Sequence, residues 1–141
     1  MREFYFQDNI LFFICEEITY SKDITWKLHI DEIKLIGFVN RMRGDEDSSV
    51  IVFVSKDYKK YFIDLAVPFS GKNILIELLL QFYRIDLTKE LEDISSVDNY
   101  ILYPNVKYRS PLYKKGFRDF LSRMFDVSHF ADGVLSSDCE S

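Results

Sequence analysis

The spacing of apolar residues changes once along the chain, and this change constrains the fold more than any other feature. Up to about residue 67, many apolar residues recur at every second position, which is the period of a half-buried β-strand. Over residues 73–85 they recur at helical spacing instead. Strands followed by helices predict an α+β fold, in which an antiparallel sheet packs against a buried helix and a C-terminal helix.

The predicted sheet contains about six or seven strands joined by short links. Turn-forming residues at positions 7–9 separate a strand near residues 2–6 from one near residues 10–16, which predicts a hairpin. Residues 24–39 alternate on both sides of an acidic pair, which predicts two strands with a tight polar link or, alternatively, one helical turn at residues 31–34. Short links exclude crossovers, so the strands are expected to form an antiparallel meander.

Further segments complete the predicted sheet. Residues 41–49 form the most polar stretch of the chain and predict an exposed hairpin loop. Residues 50–54 are a continuous β-branched and aromatic run, which predicts a central strand covered on both faces. Residues 61–67 alternate again and predict its partner strand, whereas residues 100–103 form a short apolar piece that stops at Pro104.

The first predicted helix covers residues 73–85. Apolar side chains surround most of it, so this helix is expected to be buried on nearly all sides against the sheet. Ser70 or Asn73 could cap its N-terminus. A short amphipathic helix is predicted to follow over residues 87–94.

The domain organisation follows from length and from the end of the chain. Ser110 and Pro111 have the residue types of a helix start, which predicts a C-terminal helix from this point. A chain of 141 residues fits one domain. We expect a single α+β domain over residues 1–135 and a disordered polar tail over residues 136–141.

Composition limits the compartment and the class of partner. Hydrophobic residues make up 48% of the chain and the net charge is −5, so a globular fold is expected and binding to nucleic acid is not. Cys15 lies in an apolar run and Cys139 in a polar tail, which does not suggest a disulfide framework. No signal peptide or transmembrane segment is evident, so the cytoplasm is the expected location.

The sequence contains no motif that predicts catalysis, a metal site or a cofactor. His29 and His129 lie far apart, and neither has a second ligand at zinc-binding spacing. Adjacent acidic residues occur among turn formers, which is typical of solvated turns. Neither a nucleophile elbow nor a phosphate-binding glycine loop is present. We therefore expect a protein that is not an enzyme and that binds no cofactor.

One segment has a charge opposite to that of the rest. Residues 107–123 contain six basic residues and one acidic residue, a net charge of +5, so the remainder carries −10. The predicted anionic-partner patch consists of Lys107, Arg109, Lys114, Lys115 and Arg118. Alternatively, the acidic residues at 90–98 or 45–47 neutralise this segment within the molecule, because charge runs are usually solvated faces.

The pattern of strands and helix resembles that of small bacterial pleckstrin-homology-like or GRAM-like domains. The residues that carry the resemblance are WKLHIDEIKLIG, SSVIVFVSKDYKKYFIDL and ILIELLLQFY, which lie within residues 24–85. The resemblance implies a bent meander, with a half-barrel as one form, plugged at one end by a helix. It implies no activity and no ligand-binding residue.

Three classes of function are compatible with these features. The first is a non-catalytic, intracellular protein-binding module, of which an immunity-type protein that neutralises a basic toxin is one form. The second is a phosphate or lipid-headgroup binder that uses the basic segment 107–123. The third is an enzyme whose site the sequence does not reveal. The absence of catalytic motifs favours the first.

Overall fold

The structure is a computed structural model, which describes residues 2–15, 25–43, 46–92 and 99–112, with the backbone alone for residues 40–43 and 46–48. The strands in these ranges are β1 (Arg2–Gln7), β2 (Ile10–Cys15), β3 (Trp26–His29), β4 (Ile33–Arg43), β5 (Glu46–Ser55), β6 (Lys60–Asp64) and β7 (Asn99–Tyr103). The helices are α1 (Lys72–Tyr83) and α2 (Leu87–Glu92), with short 3-10 helices at Ile30–Glu32 and Asn105–Lys107.

The strands form two open antiparallel sheets, which confirms the predicted α+β class. Three strands pair in the order β1-β2-β3, and four pair in the order β6-β5-β4-β7. The structure differs from a single meander between β3 and β4, which follow each other along the chain but lie in different sheets. The two predicted strands are present, and the link between them is one helical turn, the 3-10 helix Ile30–Glu32, which ends before the predicted residues 33 and 34. The ring of His29 accepts a hydrogen bond from the Asp31 N–H at 3.1 Å.

The first hairpin is confirmed. β1 pairs with β2 in a register that places Gln7 opposite Ile10. Asp8 and Asn9 both have positive φ angles, 55° and 62°, as the two central residues of a type I′ turn require. Asx side chains tolerate this left-handed backbone better than most, which explains why the local sequence is sufficient to specify the turn.

The hairpin predicted at residues 41–49 is present, but its loop is shorter than predicted. β4 continues to Arg43, β5 begins at Glu46, and the backbone ladder includes the pair Asn40 and Ser49. Ladder hydrogen bonds join backbone groups and do not need apolar side chains, so a register set by the apolar parts of both strands extends into polar sequence. Residues 44 and 45, at the expected turn, lie outside the described residues.

The prediction of a central strand at residues 50–54 is confirmed. All five side chains are fully buried, and β5 lies between β4 and β6. Ile51 and Phe53 belong to the apolar cluster shared by the two sheets and α1. The second cluster, on the other face, consists of Leu35, Val39, Val50, Val52, Val54, Ile101 and Leu112. Two covered faces explain why this strand is apolar at every position rather than at alternate ones.

Helix α1 matches the predicted span, but it is not buried on nearly all sides. Its buried residues are Leu75, Leu78 and Leu79, and its exposed apolar residues are Ile74, Leu80 and Phe82. One face packs against the first apolar cluster, and periodicity could not show that the rest of the apolar surface stays uncovered.

The predicted caps of α1 are also wrong. Gly71 occupies the N-cap with a φ of 88°, and no side chain caps the helix. A Cβ atom at this position would lie 1.9 Å from the carbonyl oxygen of Phe4, so only glycine fits. The close approach arises because Ser70 exchanges backbone hydrogen bonds with β1, through Phe4 N–H at 2.8 Å and Arg2 O at 3.0 Å.

The later part of the chain adds a strand to the sheet. Helix α2 confirms the predicted short helix near residues 87–94. The apolar piece at residues 100–103 is the core of β7, an edge strand that pairs with β4. The C-terminal helix does not begin at Ser110 as predicted, because Ser110, Pro111 and Leu112 are not helical and Ser110 O accepts a hydrogen bond from the Ile101 N–H of β7 at 2.8 Å. The rest of that predicted helix and the tail at residues 136–141 fall outside the described residues, which end at Leu112.

Candidate functional site

The most exposed of the large apolar side chains described is that of Val106, which is 91% exposed. It lies in the 3-10 helix Asn105–Lys107, directly after β7. Residues 104–109 are here named the Val106 turn. A single exposed valine is ordinary on a flexible loop, so what distinguishes this one is how firmly the turn around it is held.

Backbone hydrogen bonds fix the Val106 turn. Within the turn, Lys107 N–H donates to Pro104 O at 2.9 Å and Tyr108 N–H donates to Asn105 O at 3.0 Å. At its end, Arg109 N–H donates to Ile101 O at 2.9 Å, which ties the turn back to β7. Most of its amides are therefore paired, as expected for an ordered segment.

A buried carboxylate anchors the same turn through side chains. Glu90 of α2 is 6% exposed, and each of its carboxylate oxygens accepts a hydrogen bond from a tyrosine. Tyr100 Oη donates to Oε2 at 2.6 Å, and Tyr108 Oη donates to Oε1. Tyr100 is buried in the core, so Glu90 connects the core to the exposed turn. The two O–H donors provide the charge-assisted hydrogen bonds that a buried carboxylate needs.

Arg109 covers this cluster. Its guanidinium carbon lies 4.8 Å from the ring centre of Tyr100 and 5.6 Å from that of Tyr108, which is cation–π geometry. Arg109 has a φ of 70°, the left-handed region that costs a non-glycine residue about 1–2 kcal/mol. Stacking on two rings offsets part of that cost.

The electrostatics keep both tyrosines protonated. Burial raises the pKa of Tyr100 well above its ordinary value, and the hydrogen bond to Glu90 raises it further. The pKa of Tyr108 is raised by the same two causes. Both hydroxyls therefore act as donors to Glu90 at neutral pH, and neither is placed to act as a base or nucleophile.

The structure describes two residues of the predicted anionic-partner patch. Lys107 and Arg109 both lie in the Val106 turn. Lys114, Lys115 and Arg118 fall outside the described residues, so the patch as a whole stays a prediction. Internal neutralisation likewise stays open, although Arg109 stacks on the two tyrosines that donate to one acid of the segment 90–98.

Sequence reasoning did not single out Val106 or Glu90. Val106 follows Pro104 and Asn105 as an isolated apolar residue in a polar turn, a weak signal that was available. Glu90 has the same residue type as its exposed neighbour Glu92 and carries no signal, because its burial depends on two tyrosines that are 10 and 18 positions away.

The described residues offer little that could hold a small ligand. One shallow depression among them has a volume of about 330 Å³ and is lined by Leu65, Ala66, Val67, Pro68, Phe69 and Lys72. In the same residues, no three His, Cys, Asp or Glu side chains come together as a metal site. His29 uses its ring nitrogen to accept from the backbone of Asp31.

Comparisons with protein-family models, with curated proteins and with solved structures found no match to this chain. Over the part of the chain that the structure describes, none of the helices has the length and apolar character needed to span a bilayer. Since no relative supplies a function, the geometry and chemistry of the site must carry it.

Proposed function

We propose that the chain is a non-catalytic, cytoplasmic protein-binding module that docks on its partner through the Val106 turn. The observation that carries this proposal is the 91% exposure of Val106 on a turn fixed by backbone hydrogen bonds and by Glu90. The sequence supports it further, because no catalytic motif accompanies the turn.

A rigid turn is well suited to binding for an energetic reason. Burying a fully exposed valine side chain stabilises a complex by about 1.5–3 kcal/mol. A flexible loop loses part of that gain on ordering, whereas a turn already held in one conformation loses little. Tyr108 is 41% exposed beside Val106 and belongs to a residue type that is enriched at interfaces. The turn is therefore an anchor of a larger interface.

The charge around the turn indicates the chemistry of the partner. Lys107 and Arg109 begin the segment 107–123, which has a net charge of +5. An acidic surface that surrounds an apolar recess would be attracted to this segment over long range and would then receive Val106. We expect association to slow as salt is added, because screening weakens such steering.

An immunity-type protein would instead bind a basic partner. The chain outside residues 107–123 carries −10, which would attract a basic toxin. In that form, the partner is basic and a toxin-like reading frame lies beside this one. An acidic partner captured at Val106, with no such neighbouring frame, would exclude the immunity-type form and leave the general proposal standing.

Site-specific photo-crosslinking tests the proposal in a native lysate. A benzoylphenylalanine residue replaces Val106 in one variant and Tyr58 in the control, because Tyr58 is 45% exposed in a turn between β5 and β6. We expect one discrete protein adduct from position 106 that is missing from position 58. Identical adducts from both positions, or none from position 106, would contradict the proposal.

A second step uses the captured partner after purification. Val106→Asp places a charge where a valine is expected to be buried, so the dissociation constant should rise at least about tenfold. Because Val106 makes little contact within the chain, the melting temperature of the variant should match the parent. Equal affinity of variant and parent would count against the turn as the docking site.

The alternative as a phosphate or lipid-headgroup binder is tested with Val106→Ser, which removes the apolar side chain without adding a charge. Vesicles that contain phosphatidylserine should bind the parent and Val106→Ser about equally if basic side chains alone attract the chain, and binding should weaken as salt is added. Vesicle binding without a protein adduct would replace the proposal by this alternative. The enzyme alternative stays a prediction of the sequence.

A further inference from the structure

The tip of the Val106 turn, Asn105 and Val106, is exposed and contributes little packing. The ring of Tyr108 packs edge-to-face against that of Tyr100, with ring centres 6.3 Å apart. Arg109 holds a left-handed backbone conformation that is unfavourable for its residue type. Contacts of Tyr108 and Arg109, rather than burial of Val106, must therefore keep this conformation populated.

Glu90 is positioned to stabilise this conformation of the Val106 turn. It belongs to α2, lies 18 positions before Tyr108 in sequence, and accepts hydrogen bonds from a core tyrosine and from the turn tyrosine at once. The guanidinium of Arg109 lies over both tyrosine rings. The carboxylate of Glu90, the rings of Tyr100 and Tyr108, and Arg109 therefore lie next to one another at the base of the turn.

We infer that Glu90 is a positioning residue, which fixes the conformation in which the Val106 turn binds its partner. This inference rests on the proposed function of the turn. Glu90 itself is buried and would not touch the partner; it acts through Tyr108. Loss of the Tyr108–Glu90 hydrogen bond should let the turn open locally while the sheet beneath it stays intact.

Hydrogen exchange on the full chain tests the inference without a partner. Tyr108→Phe removes one hydroxyl from a partly exposed residue. Tyr58→Phe is the matched control, because Tyr58 lies in another turn, is similarly exposed, and accepts a hydrogen bond from Lys34 of β4 through its hydroxyl. A hydrogen bond to a charged group is worth enough that exchange at the Arg109 amide should rise roughly 10- to 100-fold in Tyr108→Phe. Exchange in β5 should not change in either variant.

Substitutions at Glu90 add a graded readout. A carboxamide can accept from one tyrosine hydroxyl and donate to the other, so Glu90→Gln should increase exchange at Arg109 less than Glu90→Ala does. An unchanged rate at Arg109 in Tyr108→Phe would overturn the inference. A uniform rise that includes β5 would also overturn it, because Glu90 and Tyr108 would then support global stability rather than the turn.

Affinity for the purified partner separates positioning from a local structural role. The apparent dissociation constant equals the intrinsic constant divided by the fraction of the chain in which the turn is closed, so Tyr108→Phe and Glu90→Ala should weaken binding in proportion to the closed fraction they remove. A closed fraction that falls severalfold with unchanged affinity would overturn the positioning role. If Val106→Asp leaves affinity unchanged, the proposed function fails, and the exchange rates still decide whether Glu90 fixes the turn.

Discussion

The side chain of Leu112 occupies the space above Gly37. A Cβ atom added at Gly37 would lie 2.5 Å from Cδ2 and 2.8 Å from Cδ1 of Leu112. Leu112 is fully buried, so its branched end has little freedom to withdraw. Close packing, and not a left-handed φ, favours glycine at this point of β4, because a larger side chain would have to displace the end of Leu112.

The first prediction concerns this pair. Gly37→Ala should destabilise the fold by about 1–3 kcal/mol through overpacking, and Leu112→Ala by about 2–5 kcal/mol through the cavity it leaves. Once Leu112 is shortened, the added methyl group has room, so Gly37→Ala should cost almost nothing in that background. Urea unfolding of the parent, both single variants and the double variant measures this coupling. Strict additivity would show that the two side chains do not compete for space.

Local sequence was sufficient where one short segment decides the geometry. Asp8 and Asn9 supply the left-handed turn of the first hairpin, and the run at residues 50–54 is apolar at every position because both of its faces are covered. In both cases the signal in the sequence lies within a few residues. The α+β class follows from the same kind of evidence.

Partner choice between distant segments was not predictable. Nothing in the apolar piece at residues 100–103 specifies that β7 joins the four-stranded sheet beside β4, across two intervening helices. The division into two sheets depends on the 3-10 helix Ile30–Glu32, which the sequence left as one of two alternatives. The burial of Glu90 was not predictable for the same reason. Its two donors, Tyr100 and Tyr108, lie in β7 and in the Val106 turn, so three separate elements must come together before the carboxylate is hydrogen-bonded.

The second prediction compares two adjacent leucines in α1. Leu79 is fully buried and Leu80 is 52% exposed, although the apolar pattern alone treats them alike. Leu79→Ala should therefore destabilise the fold by about 2–5 kcal/mol, whereas Leu80→Ala should change stability by no more than about 0.5 kcal/mol. Thermal or urea unfolding of both variants distinguishes them. Equal losses would mean that the outer face of α1 is covered in solution.

The third prediction concerns Arg2, which is only 8% exposed. Its guanidinium donates to Val67 O at 2.8 Å and lies over the rings of Phe13 and Phe69, at 5.2 Å and 5.9 Å from the ring centres. Arg2→Ala leaves the carbonyl without this donor and both rings without their covering. We expect a loss of about 2–4 kcal/mol in the free energy of unfolding.

Two further variants sharpen that test. Arg2→Lys keeps the charge but lacks the planar guanidinium, so it should recover only part of the lost stability. Lys27→Ala removes an exposed basic side chain of β3 and should change stability by no more than about 0.5 kcal/mol. If Arg2→Ala lowered the free energy of unfolding no more than Lys27→Ala does, the contacts of Arg2 would make no net contribution to stability.

Tyr83 offers a group that titrates in a measurable range. Its ring packs edge-to-face against Tyr103, with ring centres 4.9 Å apart at the end of α1. Burial raises the pKa of Tyr83 to about 12 from an ordinary value of 10.0, with smaller contributions from Tyr103 and Asp31. Ionisation is therefore less favourable in the folded chain than in the unfolded chain.

The fourth prediction is the resulting loss of stability at alkaline pH. Because the pKa of Tyr83 is higher in the folded state, its contribution is fully present below pH 10 and is lost as pH rises from 10 towards 12. Since the ring is only partly buried, we expect this loss to be about 1–2 kcal/mol. Tyr83→Phe cannot ionise, so the stability difference between parent and variant, from urea unfolding at several pH values, should shift against the parent across this window. Tyrosines remote from Tyr83 titrate in both proteins and cancel in the difference. A difference that stays constant from pH 9 to 12 would show that Tyr83 ionises equally well folded and unfolded.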